Sequence, residues 1–76
     1  MEVRVTMWGN LRRFLPGGVG STILQVPENV TLEDLASQLE AQHDIWAVAL
    51  NGKVTAFSTR LSPGDHVVYF DHLHGG

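Results

Sequence analysis

Length, charge and cysteine content limit what this chain can be. Its 76 residues are enough for one small hydrophobic core but not for two. The absence of cysteine excludes disulfides, thiolate zinc sites and side-chain thiol chemistry. A net charge of −3 with five basic residues disfavours nucleic acid as a partner, and no apolar run is long enough to span a bilayer. We therefore expect a cytoplasmic protein whose partners are other proteins.

The first third of the chain predicts two strands joined by a long, glycine-rich connection. Residues 2–8 and 21–27 each alternate between apolar and polar side chains, as strands do. Residues 11–15 form a short connector between them. Residues 16–22 superficially resemble a phosphate loop, but they lack the Gly-Lys-Ser/Thr ending and lead into a strand rather than a helix. A hairpin loop is the better interpretation, so any ATP must be bound by a partner.

The middle of the chain predicts one amphipathic helix. Thr31 is a favourable N-cap, and Asp34 completes a weaker form of the capping box. Apolar residues then recur at helical spacing and form one stripe: Leu32, Leu35, Ala36 and Leu39.

The last third predicts a hairpin and a final strand. Asn51-Gly52 separates two strand-like runs, 47–50 and 53–56, which is the strongest short hairpin signal. Residues 61–65 form a Pro-Gly turn, and residues 66–70 form a last strand. Its continuous apolar run predicts burial on both faces and hence a central position.

The order of these elements predicts an α+β fold. One helix can cover only one face of a mixed sheet of four to five strands, which gives a β-grasp (ubiquitin-like) roll with the last strand parallel beside the first. We expect a single domain over residues 1–76 with a flexible tail from about residue 71. The helix stripe should pack on Val3, Val5, Ile23 or Leu24, Val48 and Val68.

The chain closes on Gly75-Gly76, the clearest candidate functional feature. Because glycine has no Cβ, such an end fits a slot too narrow for any side chain. Extended, residues 71–76 would reach roughly 20 Å from the folded body. We predict that the carboxylate of Gly76 is the working group and that Gly75 is its slender neck.

Several segments together carry a resemblance to a known family. They are residues 5–13, the helix start at 31–35, the Asn51-Gly52 hairpin, residues 61–67 and the terminal doublet. With this order and spacing, the chain resembles the MoaD/ThiS family of ubiquitin-like sulfur carrier proteins over essentially its whole length. The segment at 11–13 and the overall length are nearer the molybdopterin branch than the thiamine branch.

The resemblance implies a function for the tail. In the family, an E1-like adenylating enzyme uses ATP to activate the terminal glycine, which becomes a thiocarboxylate. Sulfur comes from a sulfurtransferase or cysteine desulfurase and goes to an acceptor synthase, such as the molybdopterin synthase large subunit, or to thiamine or related biosynthesis. The chain is then a carrier or small subunit that binds no cofactor itself, not an enzyme. It departs from many members in having Asp71-His72-Leu73-His74 where they have a Pro-containing apolar segment.

Other interpretations of the same residues stay open. A ubiquitin-like modifier would end in an isopeptide bond from Gly76 to lysine, and a plain β-grasp interaction module would have an inert tail. No Ser-His-Asp set or carboxylate pair has catalytic spacing.

The histidines and aromatic residues give weaker signals. His72 and His74, with His66 or Asp71, have donor types that suit zinc or nickel, but solvated histidines without a metal site are the expectation. Arg12-Arg13 is expected to be a solvated pair. Most of Trp8, Phe14, Trp46 and Phe57 should lie in the core, with one or two of them in an exposed docking patch. For partner docking, the preferred residues are Phe57, Leu73, His74 and Gly75.

Overall fold

The fold is built on a mixed sheet with one α-helix against one of its faces, as the element order predicts. The computed structural model describes residues 1–71. Within that range the sheet has five strands, in the order β2-β1-β5-β3-β4. The elements in chain order are β1 (Glu2–Met7), a 3-10 helix (Gly9–Phe14), a 3-10 turn (Pro16–Gly18), β2 (Ser21–Gln25), α1 (Leu32–Gln38), β3 (Ile45–Leu50), β4 (Lys53–Val54) and β5 (His66–Asp71).

The final strand β5 occupies the centre of the sheet, as predicted. It runs parallel to β1, with Arg4 opposite His66 and Met7 opposite Tyr69. On its other side it pairs antiparallel with β3. The first and last strands are therefore neighbours, which is the defining pairing of a β-grasp.

Burial of β5 on both faces, which its apolar run predicts, is wrong. Val67 and Tyr69 are fully buried under the helix, whereas Val68 and Phe70 on the opposite face are half-buried. Val68 therefore does not pack on the helix stripe, as was expected. The cause is the single helix, which shields one face of the sheet only, while alternate side chains of a strand point to opposite faces.

The helix begins as the sequence predicts. Asp34 N–H donates to Thr31 Oγ1 and Thr31 N–H donates to Asp34 Oδ2, each at 3.1 Å, so the capping box is complete. Leu32 and Leu35 are fully buried against β1 and β5. Tyr69 Oη donates to the carbonyl oxygen of Leu32 at 2.7 Å, which ties the helix to the central strand.

Five strand boundaries and one connection differ from the sequence-based expectations. Strand β2 ends two residues early, at Gln25, and β4 has two residues rather than four. Strand β3 begins two residues earlier than predicted, and the ends of β1 and β5 each differ by one residue. The segment predicted as a short connector at residues 11–15 is mostly a 3-10 helix, Gly9–Phe14. Leu11 and Leu15 are buried and anchor this connection to the core.

The β3–β4 hairpin has the predicted Asn-Gly turn. Asn51 and Gly52 have φ values of 51° and 89°, the positive values that this hairpin turn requires. Asn51 Nδ2 donates to Asp65 Oδ1 at 2.9 Å, and the backbone N–H of His66 donates to Asn51 Oδ1 at 2.9 Å. The hairpin is thereby joined to the turn that leads into β5.

Candidate functional site at the carboxyl end of the central strand

The predicted site residues of the tail lie outside the described part of the chain, so the site is built from the residues that precede it. Leu73, His74, Gly75 and Gly76 fall in residues 72–76, which are not described. Asp71, predicted to begin the tail, is instead the last residue of β5 and pairs with Ile45 of β3. We call Phe70 and Asp71 the tail base.

Contacts from the β1 end hold the tail base. The rings of Trp8 and Phe70 stack with centroids 6.5 Å apart and planes 22° from parallel. Gly9 has φ +59°, and a Cβ built there would lie 3.6 Å from Asp71 Oδ2, so its backbone runs alongside the Asp71 side chain. The base of the tail therefore has a fixed place and direction.

Beside the tail base lies the sheet face that the helix does not cover. Thr6, Val68, Ala49 and Val54 stand directly opposite one another across β1, β5, β3 and β4. Phe70 stands opposite Ala47 in the next row. Val54 is 76% exposed and Trp8 is 59% exposed, so apolar surface here reaches solvent. We call this surface the open face; its apolar members are Trp8, Ile23, Ala47, Ala49, Val54, Val68 and Phe70.

Trp46 adds a second exposed indole near the tail base. The β3–β5 register places Ile45 opposite Asp71 and Ala47 opposite Phe70, so Trp46 is the extra residue of a β-bulge. Its side chain is 58% exposed. Such bulges commonly redirect side chains at the edges of functional surfaces.

Two of the four aromatic residues are exposed, within the one or two expected, but they are the tryptophans and not Phe57, the residue preferred for docking. Phe14 and Phe57 are half-buried and pack against the core, whereas Trp8 and Trp46 are exposed. The Phe57 carbonyl accepts from the N–H of Glu33 at 2.9 Å, which places Phe57 at the helix start, away from the open face. A role for Phe57 in docking stays a prediction.

His66 does not lie near the tail base. It begins β5 and Asp71 ends it, which separates the two by roughly 16 Å of extended strand. His66 Nε2 hydrogen-bonds Thr6 Oγ1 at 2.8 Å, and Thr6 Oγ1 donates to Ser21 Oγ at 3.0 Å. Among residues 1–71, no three His, Cys, Asp or Glu side chains are grouped to hold a metal ion.

The arginine pair forms local contacts beside the tail base. Arg13 pairs with Asp44 at 3.5 Å and lies over the Phe14 ring, 4.3 Å from its centroid. The Arg12 side chain donates to the carbonyl oxygen of Gly9 at 3.4 Å. Both arginines are exposed, so they add positive charge next to Gly9.

The sequence analysis missed the open face, although a signal for it exists. Along β5, residues 68 and 70 alternate with the buried residues 67 and 69, so their side chains point to the opposite face of the sheet. Trp8 likewise follows the buried Met7 at the end of β1. Because successive side chains of a strand point to opposite faces, these side chains must lie on the face that the helix does not cover.

Comparison with known structures agrees with this architecture. The fold matches SAMP1 from Haloferax volcanii with a TM-score of 0.76 at 18% identity, covering 100% of both chains. It matches a putative molybdopterin converting factor subunit 1 from Pyrococcus furiosus with a TM-score of 0.75 at 21% identity, covering 95% of this chain and 98% of that one. It also matches one chain of the complex of subunits 1 and 2 of molybdopterin-converting factor from Helicobacter pylori, with a TM-score of 0.65 at 21% identity, covering 100% of this chain and 100% of that one.

The fold is that of the ubiquitin-like β-grasp proteins. Residues 5–76 match the ThiS family, and the chain belongs to that family of small β-grasp proteins. No curated protein matches the sequence. None of the helices within residues 1–71 has the length and apolar character needed to cross a membrane.

Proposed function

We propose that this chain is a sulfur carrier whose Gly76 carboxylate is activated by a partner enzyme and then converted to a thiocarboxylate. The observation that carries the proposal is membership of the ThiS family in a chain whose Gly75-Gly76 doublet lies four and five residues beyond the last residue of the central strand in sequence. The absence of cysteine supports this role for the tail, because a sulfur atom bound to this chain must then be carried by a group other than a side-chain thiol.

The proposed chemistry has three steps, and the partners catalyse all of them. A carboxylate oxygen of Gly76 attacks the α-phosphorus of ATP in an E1-like adenylating enzyme, and pyrophosphate leaves. The terminal sulfur of a persulfide on a sulfurtransferase or cysteine desulfurase then attacks the acyl carbon and displaces AMP, which gives an acyl disulfide. A partner thiol attacks the partner's own sulfur of that S–S bond, so the Gly76 thiocarboxylate leaves with the bonding electrons and the partners are left with a disulfide. This chain contributes the carboxyl group and a neck without side chains, since glycine admits close approach of the surrounding protein.

The open face is the proposed docking surface for these partners. It carries exposed apolar side chains, among them Trp8 and Val54, and it meets the tail base where Trp8 stacks on Phe70. A partner seated on this face would thus lie next to the residue from which the tail begins. Exposed aromatic and aliphatic clusters of this kind are typical interaction surfaces. By analogy with the Helicobacter pylori complex of subunits 1 and 2, a large synthase subunit is one such partner.

Intact mass spectrometry of the protein purified from its native cells tests the proposal. We expect a fraction in which sulfur replaces one terminal oxygen. A variant lacking Gly76 should fold normally and carry no sulfur. Gly75→Val should also block activation, because its side chain fills the narrow neck. Sulfur loading by either variant would contradict the proposal.

A ubiquitin-like modifier is the second candidate, favoured by the structural match to a small archaeal modifier protein of Haloferax volcanii. It shares the adenylation step, but the activated carbonyl of Gly76 would be attacked by a lysine amine. The same mass measurement separates the two, since a modifier yields branched conjugates instead of a sulfur-substituted chain.

A further inference from the structure

The chain has few primary amines that could be acylated. Lys53 is the only lysine among the 76 residues. An activated glycine carboxylate is an acylating agent. In a protein, the amines are the main nucleophiles that compete with the sulfur donor for its acyl carbon. The only other primary amine here is that of Met1, so two groups decide whether one copy can be acylated by the tail of another.

The amine of Met1 is engaged in the sheet. It donates to the carbonyl oxygen of Val26 at 2.7 Å, while the N–H of Val26 donates to the Met1 carbonyl oxygen at 2.8 Å. These two hydrogen bonds extend the β1–β2 ladder to the first residue. Met1 is also half-buried against the core, so its amine must leave this pairing before it can react.

The amine of Lys53, unlike that of Met1, is accessible. Lys53 is exposed and follows the Asn51-Gly52 turn at the tip of the β3–β4 hairpin. Its ammonium group forms no hydrogen bond or ion pair with any residue in the range 1–71. It lies opposite Leu50, which in turn pairs with Val67 near the start of β5.

The position of Lys53 favours a reaction between two copies over one within a copy. Asp71 lies four residues beyond Val67 along β5, so Lys53 and the tail base are at opposite ends of the sheet. That separation is roughly 13 Å of strand, and a tail would have to double back along the sheet to cover it. The tail of a second copy meets no such constraint.

We propose that Lys53 is the acceptor site at which a second copy of this chain, activated at Gly76, becomes attached. This rests on the proposed activation of Gly76. The unprotonated Nζ of Lys53 attacks the Gly76 carbonyl of the other copy, a C–N bond forms, AMP leaves with the electrons of the C–O bond, and one proton passes to solvent. The product is two or more copies of the protein joined by one type of isopeptide bond, from Gly76 of one copy to Lys53 of the next.

Two parallel reactions test the site. In the first, purified chain is incubated with ATP and the E1-like enzyme encoded in the same genome. In the second, a Gly76 thioester of the chain, made by intein cleavage, is incubated with unmodified chain and needs no enzyme. Trypsin should then release residues 14–60, uncut after Lys53, with residues 61–76 attached at Lys53.

We expect Lys53 to carry at least ten times more conjugate than Met1 in both reactions. Lys53→Arg keeps the charge and should reduce conjugation at least tenfold. Adding Arg60→Lys to this variant tests whether another exposed amine on the same part of the chain can be acylated in place of Lys53. Attachment at Met1 as frequent as at Lys53, undiminished conjugation in Lys53→Arg, or adenylate formation without a branch at Lys53 would overturn the inference. Failure to form an adenylate overturns the proposed function instead, and the thioester reaction still decides the acceptor site.

Discussion

Tyr69 is the residue that joins the helix to the central strand. It is fully buried, and its hydroxyl donates to the carbonyl oxygen of Leu32 at 2.7 Å. Burial raises the pKa of the Tyr69 hydroxyl well above its usual range, because the phenolate would lose its hydration. The single tyrosine of the chain is therefore a reporter of folding as well as a structural contact.

Stability should fall as the pH rises above about 10, the pKa of tyrosine in an unfolded chain. Above that pH, unfolded chains lose the Tyr69 proton while folded chains keep it, so deprotonation favours unfolding by up to about 1.4 kcal/mol per pH unit. Urea unfolding at pH 8 to 11, with tyrosine absorbance as a second signal, measures this. Tyr69→Phe should lose about 1 kcal/mol at neutral pH and most of the alkaline dependence. Reversible tyrosine ionisation near pH 10 in folded protein would contradict the account.

Gly52 is the second residue whose conformation decides local structure. Its φ of +89° is strained for any residue with a Cβ, although space for a Cβ is open. We expect Gly52→Ala to lower the free energy of unfolding by about 1–2 kcal/mol. Gly20→Ala is the matched control, because Gly20 lacks a positive φ and its Cβ would meet Arg12 at an ordinary 3.5 Å. Thermal denaturation of both variants measures the difference, and equal losses would show that φ is not the cause.

At the scale of the element, the capping box fixes where α1 begins. The reciprocal bonds between Thr31 and Asp34 satisfy two backbone N–H groups at the helix start. The helix has only seven residues, too few to be stable alone in water, so the cap and the buried leucines must hold it together.

Thr31→Ala should therefore lower the free energy of unfolding by about 1 kcal/mol. Asp34→Ala should show a smaller loss, and the double variant should lose less than the sum because the two bonds form one motif. Ser58→Ala is a suitable control, since Ser58 is exposed and makes no side-chain hydrogen bond within residues 1–71. Chemical denaturation measures all four. Strict additivity of the two single variants would argue against a reciprocal cap.

At the scale of the whole molecule, one helix on one face of the sheet leaves the opposite face uncovered. The open face and the tail base meet at the Trp8–Phe70 stack. Under the proposed function, partner docking and tail delivery would therefore share one end of the sheet.

Substitutions on the open face should weaken partner binding without unfolding the chain. We expect Trp8→Ala to reduce affinity for the activating enzyme by about tenfold or more, as for buried tryptophans at interface centres, and Val54→Ser to reduce it less. Val19→Ser is the control, because Val19 is 43% exposed in the loop before β2. Isothermal titration calorimetry measures affinity and circular dichroism checks folding. Unchanged affinity in Trp8→Ala would place the docking surface elsewhere.

The sequence alone determined the local features of this protein. Thr31 and Asp34 predicted the helix start and Asn51-Gly52 predicted the hairpin turn, because each feature depends on residues close together in the chain. The element order predicted the β-grasp, because one helix can cover only one face of such a sheet. The terminal glycines and the likeness to MoaD/ThiS proteins pointed to the family, and the match over residues 5–76 confirms it.

Only the tertiary structure decided which apolar residues remain exposed. A run such as Val67–Phe70 is equally apolar on both faces, and no local rule tells which face the helix will cover. Long-range pairing buries Val67 and Tyr69, leaves Val68 and Phe70 on the open face, and brings Trp8 beside Phe70 from the other end of the chain. Burial is a property of the whole packed molecule, so the exposure of these apolar residues could not be derived from composition or spacing alone.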